Sequence, residues 1–121
     1  MKIETVEKNG VTVAVVTEGT AITDAASAME LAMTVRYETG CSRIAIDKEL
    51  VCGDFFILST QLAGEILQKF INYRIKMAIY GDYSHYTSKP LYDFIYESNQ
   101  GNDFFFVATK EEAMEKLAAA R

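Results

Sequence analysis

Two adjacent hydroxyls, Ser59 and Thr60, stand directly before an amphipathic stretch, Gln61-Leu62-Ala63-Gly64-Glu65-Ile66-Leu67, that reads as a helix. A hydroxyl at a helix start can cap its free N–H groups. The same N–H groups attract an anion, or a phosphate carried on the hydroxyl itself. Ser59 and Thr60 are therefore candidates for a phosphoacceptor or anion site, with plain capping as the alternative. Three aspartates, Asp47, Asp54 and Asp82, fall at or near the ends of expected strands. Carboxylates meeting at one rim could hold Mg²⁺, although Asp82 after Gly81 is equally a turn former and Asp54 follows a flexible Cys-Gly pair. The single histidine, His85, lies in a polar loop between Ser84 and Ser88, where α/β proteins do place general bases. No serine, cysteine or carboxylate has a spacing that makes it the partner of His85, and the flanking Tyr83 and Tyr86 suit a contact surface as well. The candidate polar rim is thus Asp47, Asp54, Asp82, Ser84, His85 and Ser88. No catalytic residue and no metal site is assigned.

These residues need a scaffold that brings distant stretches to one edge. Asn9-Gly10 joins an alternating segment, Lys2–Glu7, to a β-branched run, Val11–Val16, which is the strongest short hairpin signal. Thr23-Asp24 can cap a first helix whose inward face is Ala25, Ala28, Leu31, Ala32 and Val35, ended by Gly40. Ser42–Asp47 reads as a buried strand. A helix buries Leu62, Ala63, Ile66, Leu67, Phe70 and Ile71 and feeds a second buried strand, Lys76–Tyr80. Gly64 inside that helix suggests close approach to the sheet or to a neighbouring element. Ser88 can cap a third helix that carries Pro90 in its first turn and the stripe Leu91, Phe94, Ile95 and Ser98, stopped at Asn99-Gln100-Gly101. Phe104–Ala108 is the last strand. Thr109 and Glu112 form a capping box for a final helix anchored by Ala113, Met114 and Leu117.

The order ββαβαβαβα implies an α/β fold: a mostly parallel five-stranded sheet with an N-terminal antiparallel hairpin and four helices covering both faces. Helix starts then open at the C-terminal ends of the strands, where such sheets place their sites. Three consecutive phenylalanines, Phe104 to Phe106, must point to both faces, which agrees with that layering.

The chain has 121 residues, the size of one domain, with 12 basic and 17 acidic residues and a net charge of −5. Scattered basic residues on an acidic chain do not favour nucleic acid. No apolar run reaches the ~20 residues that span a bilayer, so no membrane segment is expected. Cys41 and Cys52 have no metal-ligand spacing, and two free thiols fit a reducing cytoplasm. Neither GxGxxG nor GxxxxGK[ST] occurs, and no cofactor is expected. Tyr73, Tyr83, Tyr86, Tyr92 and Tyr96 are hard to bury together, so some should form a surface for a protein partner or for a second copy in a homodimer, with rings that cover the sheet and leave their hydroxyls in water as an equal alternative.

The element order is similar to that of STAS domains, the fold of bacterial anti-sigma-factor antagonists. Their signature, Asp-Ser-Ser-Gly-Leu-Gly, compares with Leu58-Ser59-Thr60-Gln61-Leu62-Ala63-Gly64, with Leu58 in place of the aspartate and Gln61 in place of the first glycine. The resemblance implies a regulatory protein-interaction module and places the phosphoacceptor hydroxyl on Thr60. Longer phrases, LST-x-LAGEILQKF-x-NYR and DFIYESN-x-G, resemble an uncharacterised bacterial family catalogued as a domain of unknown function, which implies no activity. A small-ligand or nucleotide-binding protein, or weak hydrolase, using Asp47, Asp82, Ser84 and His85 is the alternative.

Overall fold

In the computed structural model, which describes residues 1–19 and 21–121, Asn9 and Gly10 both take positive φ, 54° and 80°. That geometry closes the opening hairpin between strands β1 (Lys2–Lys8) and β2 (Val11–Glu18). The remaining elements are α1 (Ala25–Thr39), β3 (Arg43–Asp47), α2 (Leu62–Asn72), β4 (Lys76–Tyr80), α3 (Lys89–Gln100), β5 (Phe104–Val107) and α4 (Lys110–Ala119). The sheet runs β1-β2-β3-β4-β5, with β1 antiparallel to β2 and the other pairs parallel. This is the expected α/β sheet with its hairpin and four helices.

The helices are unevenly shared between the two faces. Each crossover steps one strand in the same direction, so crossovers of one hand must lay α1, α2 and α3 on one face. There Ala14, Val16, Ile44, Ile46, Met77, Ile79, Phe104 and Phe106 meet the three helices. The opposite face, Val13, Val15, Ala45, Ala78, Phe105 and Val107, is covered by α4 through Ala113 and Leu117 and by Ala120 at its C-cap. The alternation along Phe104-Phe105-Phe106 feeds both cores, as period-two geometry demands.

Local chemistry explains most of the ends. Asp24 is the N-cap of α1 and exchanges hydrogen bonds with Ser27 in a full capping box. Those bonds hold the Asp24 carboxyl below its ordinary pKa. Gly40 closes α1 at φ 75°. Ser88 caps α3 through the Leu91 N–H. Thr109 accepts from the Glu112 N–H at 3.2 Å, so α4 has the expected cap, but the carboxylate of Glu112 turns to the Thr109 hydroxyl instead of completing a box.

Three side chains make bonds that no local sequence signal announces. The Arg43 guanidinium donates to the carbonyls of Leu117 and Ala120, so β3 closes the C-terminal end of α4 with a cation. Arg36 on α1 does the same for α2 through the Tyr73 carbonyl at 2.7 Å. Asn99, expected only to stop α3, lies inside that helix and bonds both the N–H and the carbonyl of Phe106, at 2.8 and 3.0 Å.

Candidate functional site

The loop between β3 and α2 forms the rim at the C-terminal ends of the strands. It folds as three short 3-10 turns, Lys48–Leu50, Gly53–Phe56 and Leu58–Thr60. A one-residue bridge ties it to the chain ahead of α1, with Ile22 N–H on the Leu50 carbonyl and Cys52 N–H on the Ile22 carbonyl.

Ser59 and Thr60 therefore belong to a separate turn, and the expectation that they cap α2 directly is corrected. The residue at the cap is Gln61, at φ 65° with no side-chain bond to the helix. The Thr60 hydroxyl donates toward the carbonyls of Asp54 and Ile57, at 2.7 and 2.8 Å, and accepts from the Leu62 N–H only at 3.4 Å. Both hydroxyl residues are exposed.

Asp47 and Asp82 act as turn formers. Asp47 Oδ1 accepts from the Glu49 N–H at 2.9 Å, and Asp82 Oδ1 from the Ser84 N–H at 2.8 Å. Hydrogen bonding from Ser84, side chain first and then backbone, lowers the Asp82 pKa, and the nearby His85 and Lys48 add to the effect. Asp54 lies on the turn Gly53–Phe56 and is exposed. Among the described residues no three His, Cys, Asp or Glu side chains are grouped to hold a metal ion, so the three aspartates do not assemble a carboxylate centre.

Three of the candidates do share one place. Ser59, His85 and Ser88 line a groove of about 420 Å³ together with Phe56, Tyr86 and Leu91. The His85 ring lies 4.2 Å from that of Tyr86, centroid to centroid, tilted by 35°. On the lining of the same groove, Ile57 is 52 % exposed, a large apolar side chain left in water at the rim.

The same loop carries a half-buried residue that sequence reasoning passed over. Lys48 Nζ lies 4.9 Å from the centre of the Tyr86 ring, 5.3 Å from Phe56 and 6.0 Å from Tyr83. Its three aromatic neighbours attract the ammonium through their negative faces. They come from two different loops, and no short spacing could announce the cluster. Burial, more than the charges around it, pushes the Tyr83 phenol pKa far above its ordinary value, and its hydroxyl donates to the Ile79 carbonyl at 2.8 Å.

From the rim a trough runs between α2 and α3, because α2 leans on α1 while α3 rests on β5. An opening of about 620 Å³ is lined by Leu58, Gln61, Gly64, Glu65 and Phe94. A further one of about 280 Å³, also lined by Phe94, continues along Leu67, Ile71 and Phe104. Leu58 lines the rim groove as well, so the two depressions are neighbours. Gly64 is corrected here: it is exposed, and a Cβ at that position would meet nothing within 4 Å. No internal packing offsets the ~1 kcal/mol that glycine costs a helix interior.

No helix is long and apolar enough to cross a membrane among the described residues. No curated protein and no solved structure matches the chain. A family model described as a domain of unknown function (DUF4180) matches residues 8–117. That span runs from the end of β1 into α4 and contains every rim and trough residue named above, and on it the chain belongs to the DUF4180 family.

Proposed function

We propose that this chain is a cytoplasmic protein-interaction module that recognises its partner at the rim formed by Ser59, His85 and Ser88. The single observation that carries the reading is Ile57, half in water on a groove that it lines with Phe56, Tyr86 and Leu91. Large apolar side chains exposed next to a polar-edged groove suit protein recognition. Tyr92 and Tyr96 on α3, 70 % and 60 % exposed, extend the same character outward. The free thiols of Cys41 and Cys52 support a reducing compartment.

The resemblance to STAS domains supports a regulatory use. Gln61, in the place of the signature's first glycine, takes the left-handed φ that glycine favours. A phosphate on Thr60 would add about −1.5 to −2 charges. It would lie next to a helix start whose cap residue, Gln61, makes no side-chain bond, and would change what the rim accepts. The small-ligand reading draws on less, since Asp47 and Asp82 already spend an acceptor each on turns.

The test is retention of proteins from source-cell lysate on immobilised wild type and on Ile57→Asp, with circular dichroism to confirm that both are folded. Wild type should retain a defined protein that the variant loses, and mass spectrometry of the recovered chain should report modification of Ser59 or Thr60. Equal retention by both, or none by wild type, refutes the rim as a recognition surface.

A further inference from the structure

We infer that the trough between α2 and α3 receives a basic amphipathic helix of the partner protein, crossing close to the α2 backbone at Gly64. This rests on the interaction-module reading and names the chemistry of the partner. The eleven residues of α2 make a wall about 16 Å long, the length of three helical turns. Its floor is apolar, with Phe94 common to both openings and Phe104 at the far end. Ile71, 41 % exposed on the wall, offers a further apolar contact. A helix seated in a groove presents apolar anchors at i, i+3 or i+4, and i+7, which three turns supply.

Charge selects the sign of that helix. The ionisable side chains lining the trough are Glu65, Glu97 and Asp103, all acidic, with no lysine or arginine among them. Asp103 is paired with Lys76 at 3.6 Å, whereas Glu65 and Glu97 form no ion pair among the described residues. A helix with lysine or arginine flanking its apolar stripe would meet both, and an acidic one would be repelled. Gly64 supplies the third observation. Among the described residues nothing lies within 4 Å of where its Cβ would be, yet it weakens α2, and a glycine on a groove wall lets a second backbone approach more closely than any other residue.

The probe is a fluorescein-labelled helix of about 14 leucines and lysines, apolar at the spacing above, with its leucine-glutamate counterpart, titrated by fluorescence anisotropy against the whole chain. The lysine probe should bind wild type and the glutamate probe should not. Binding should weaken by roughly tenfold in Glu65→Lys/Glu97→Lys and in Gly64→Leu, and change by less than about twofold in the control pair Glu38→Lys/Glu111→Lys, which leaves the trough alone. Thermal melts check that each variant is folded. Equal weakening in the control pair would mean attraction by net charge and overturns the inference. So does indifference to Gly64→Leu, or light scattering that shows a wild-type dimer which Gly64→Leu abolishes, since a second copy would then fill the trough. If wild type retains a lysate protein that Ile57→Asp loses but ignores the lysine probe, the basic helix is refuted and the interaction module stands. If nothing is retained, the module itself falls.

Discussion

Asn99→Ala is the substitution with the sharpest expected outcome. Met77 N–H bonds the Asp103 carbonyl and Gly81 N–H the Val107 carbonyl, so alternate carbonyls of β5 point at β4 and those of Phe104 and Phe106 point away. At Phe106 the outward N–H and carbonyl are both taken by the Asn99 amide. Phe106 is only 4 % exposed, so little water can replace that amide. Two hydrogen bonds at about 1 kcal/mol each, with partial rehydration through the half-buried Asn99 site, give a loss of about 2 kcal/mol, or roughly 6–10 °C in Tm for a chain of this length. Urea unfolding reads the energy, and the midpoint should fall with the slope unchanged. Hydrogen exchange of the Phe106 amide reads the cause, because that proton has Asn99 as its partner and should exchange much faster in the variant. Asn99→Asp keeps an acceptor for the N–H but sets an oxygen against the Phe106 carbonyl, so amide protection should persist better than global stability. A loss below about 0.5 kcal/mol together with unchanged Phe106 exchange would refute the assignment of the edge to Asn99.

Gly64→Ala should stabilise the free protein by about 0.5–1 kcal/mol in urea unfolding, since the new methyl enters open space and the unfolded chain loses freedom. Gly81→Ala should destabilise it, because the added Cβ would lie 2.7 Å from Lys48 Cβ and must push Lys48 off its aromatic rings; a lower Tm with altered tyrosine fluorescence is the readout. Tyr83 should be among the last tyrosines to ionise in an absorbance titration. Its phenol pKa is raised in the folded state, so its contribution to stability is complete below pH ~10 and is lost as the pH climbs above that, and Tyr83→Phe should flatten this alkaline slope.

Much of the fold was legible because its signals are local. Asn9-Gly10 dictates a hairpin, Ser88 and Thr109 offer oxygens where helices begin, Gly40 supplies the left-handed stop, and the alanines of α1 repeat at helical spacing. The lopsided layering was not legible. It follows from the order in which strands pair, and no single segment records that order. The start of α2 falls one residue later than the sequence places it because Ser59-Thr60 is a good cap by type, whereas Thr60 spends its hydroxyl on the carbonyls of Asp54 and Ile57. At the rim, strand-end placement was enough to bring Ser59 to His85 and Ser88. It could not show that Asp47 and Asp82 bond their own loops, or that Lys48 would rest on rings from two other segments. The Asn99 and Arg43 bonds escaped for the same reason, since each joins residues that are neighbours only after the chain has folded.

The lone α4 gives this architecture a predetermined place to come apart. Undocking one ten-residue helix at Ala108-Thr109, with release of Arg43 from its carbonyls, would uncover Val13, Val15, Ala45, Ala78, Phe105 and Val107 at once while the three-helix side stayed assembled. That half-open species would carry a flat, greasy slab of the kind that chaperones grip and proteases find, and its population would set how long the protein survives in a cell.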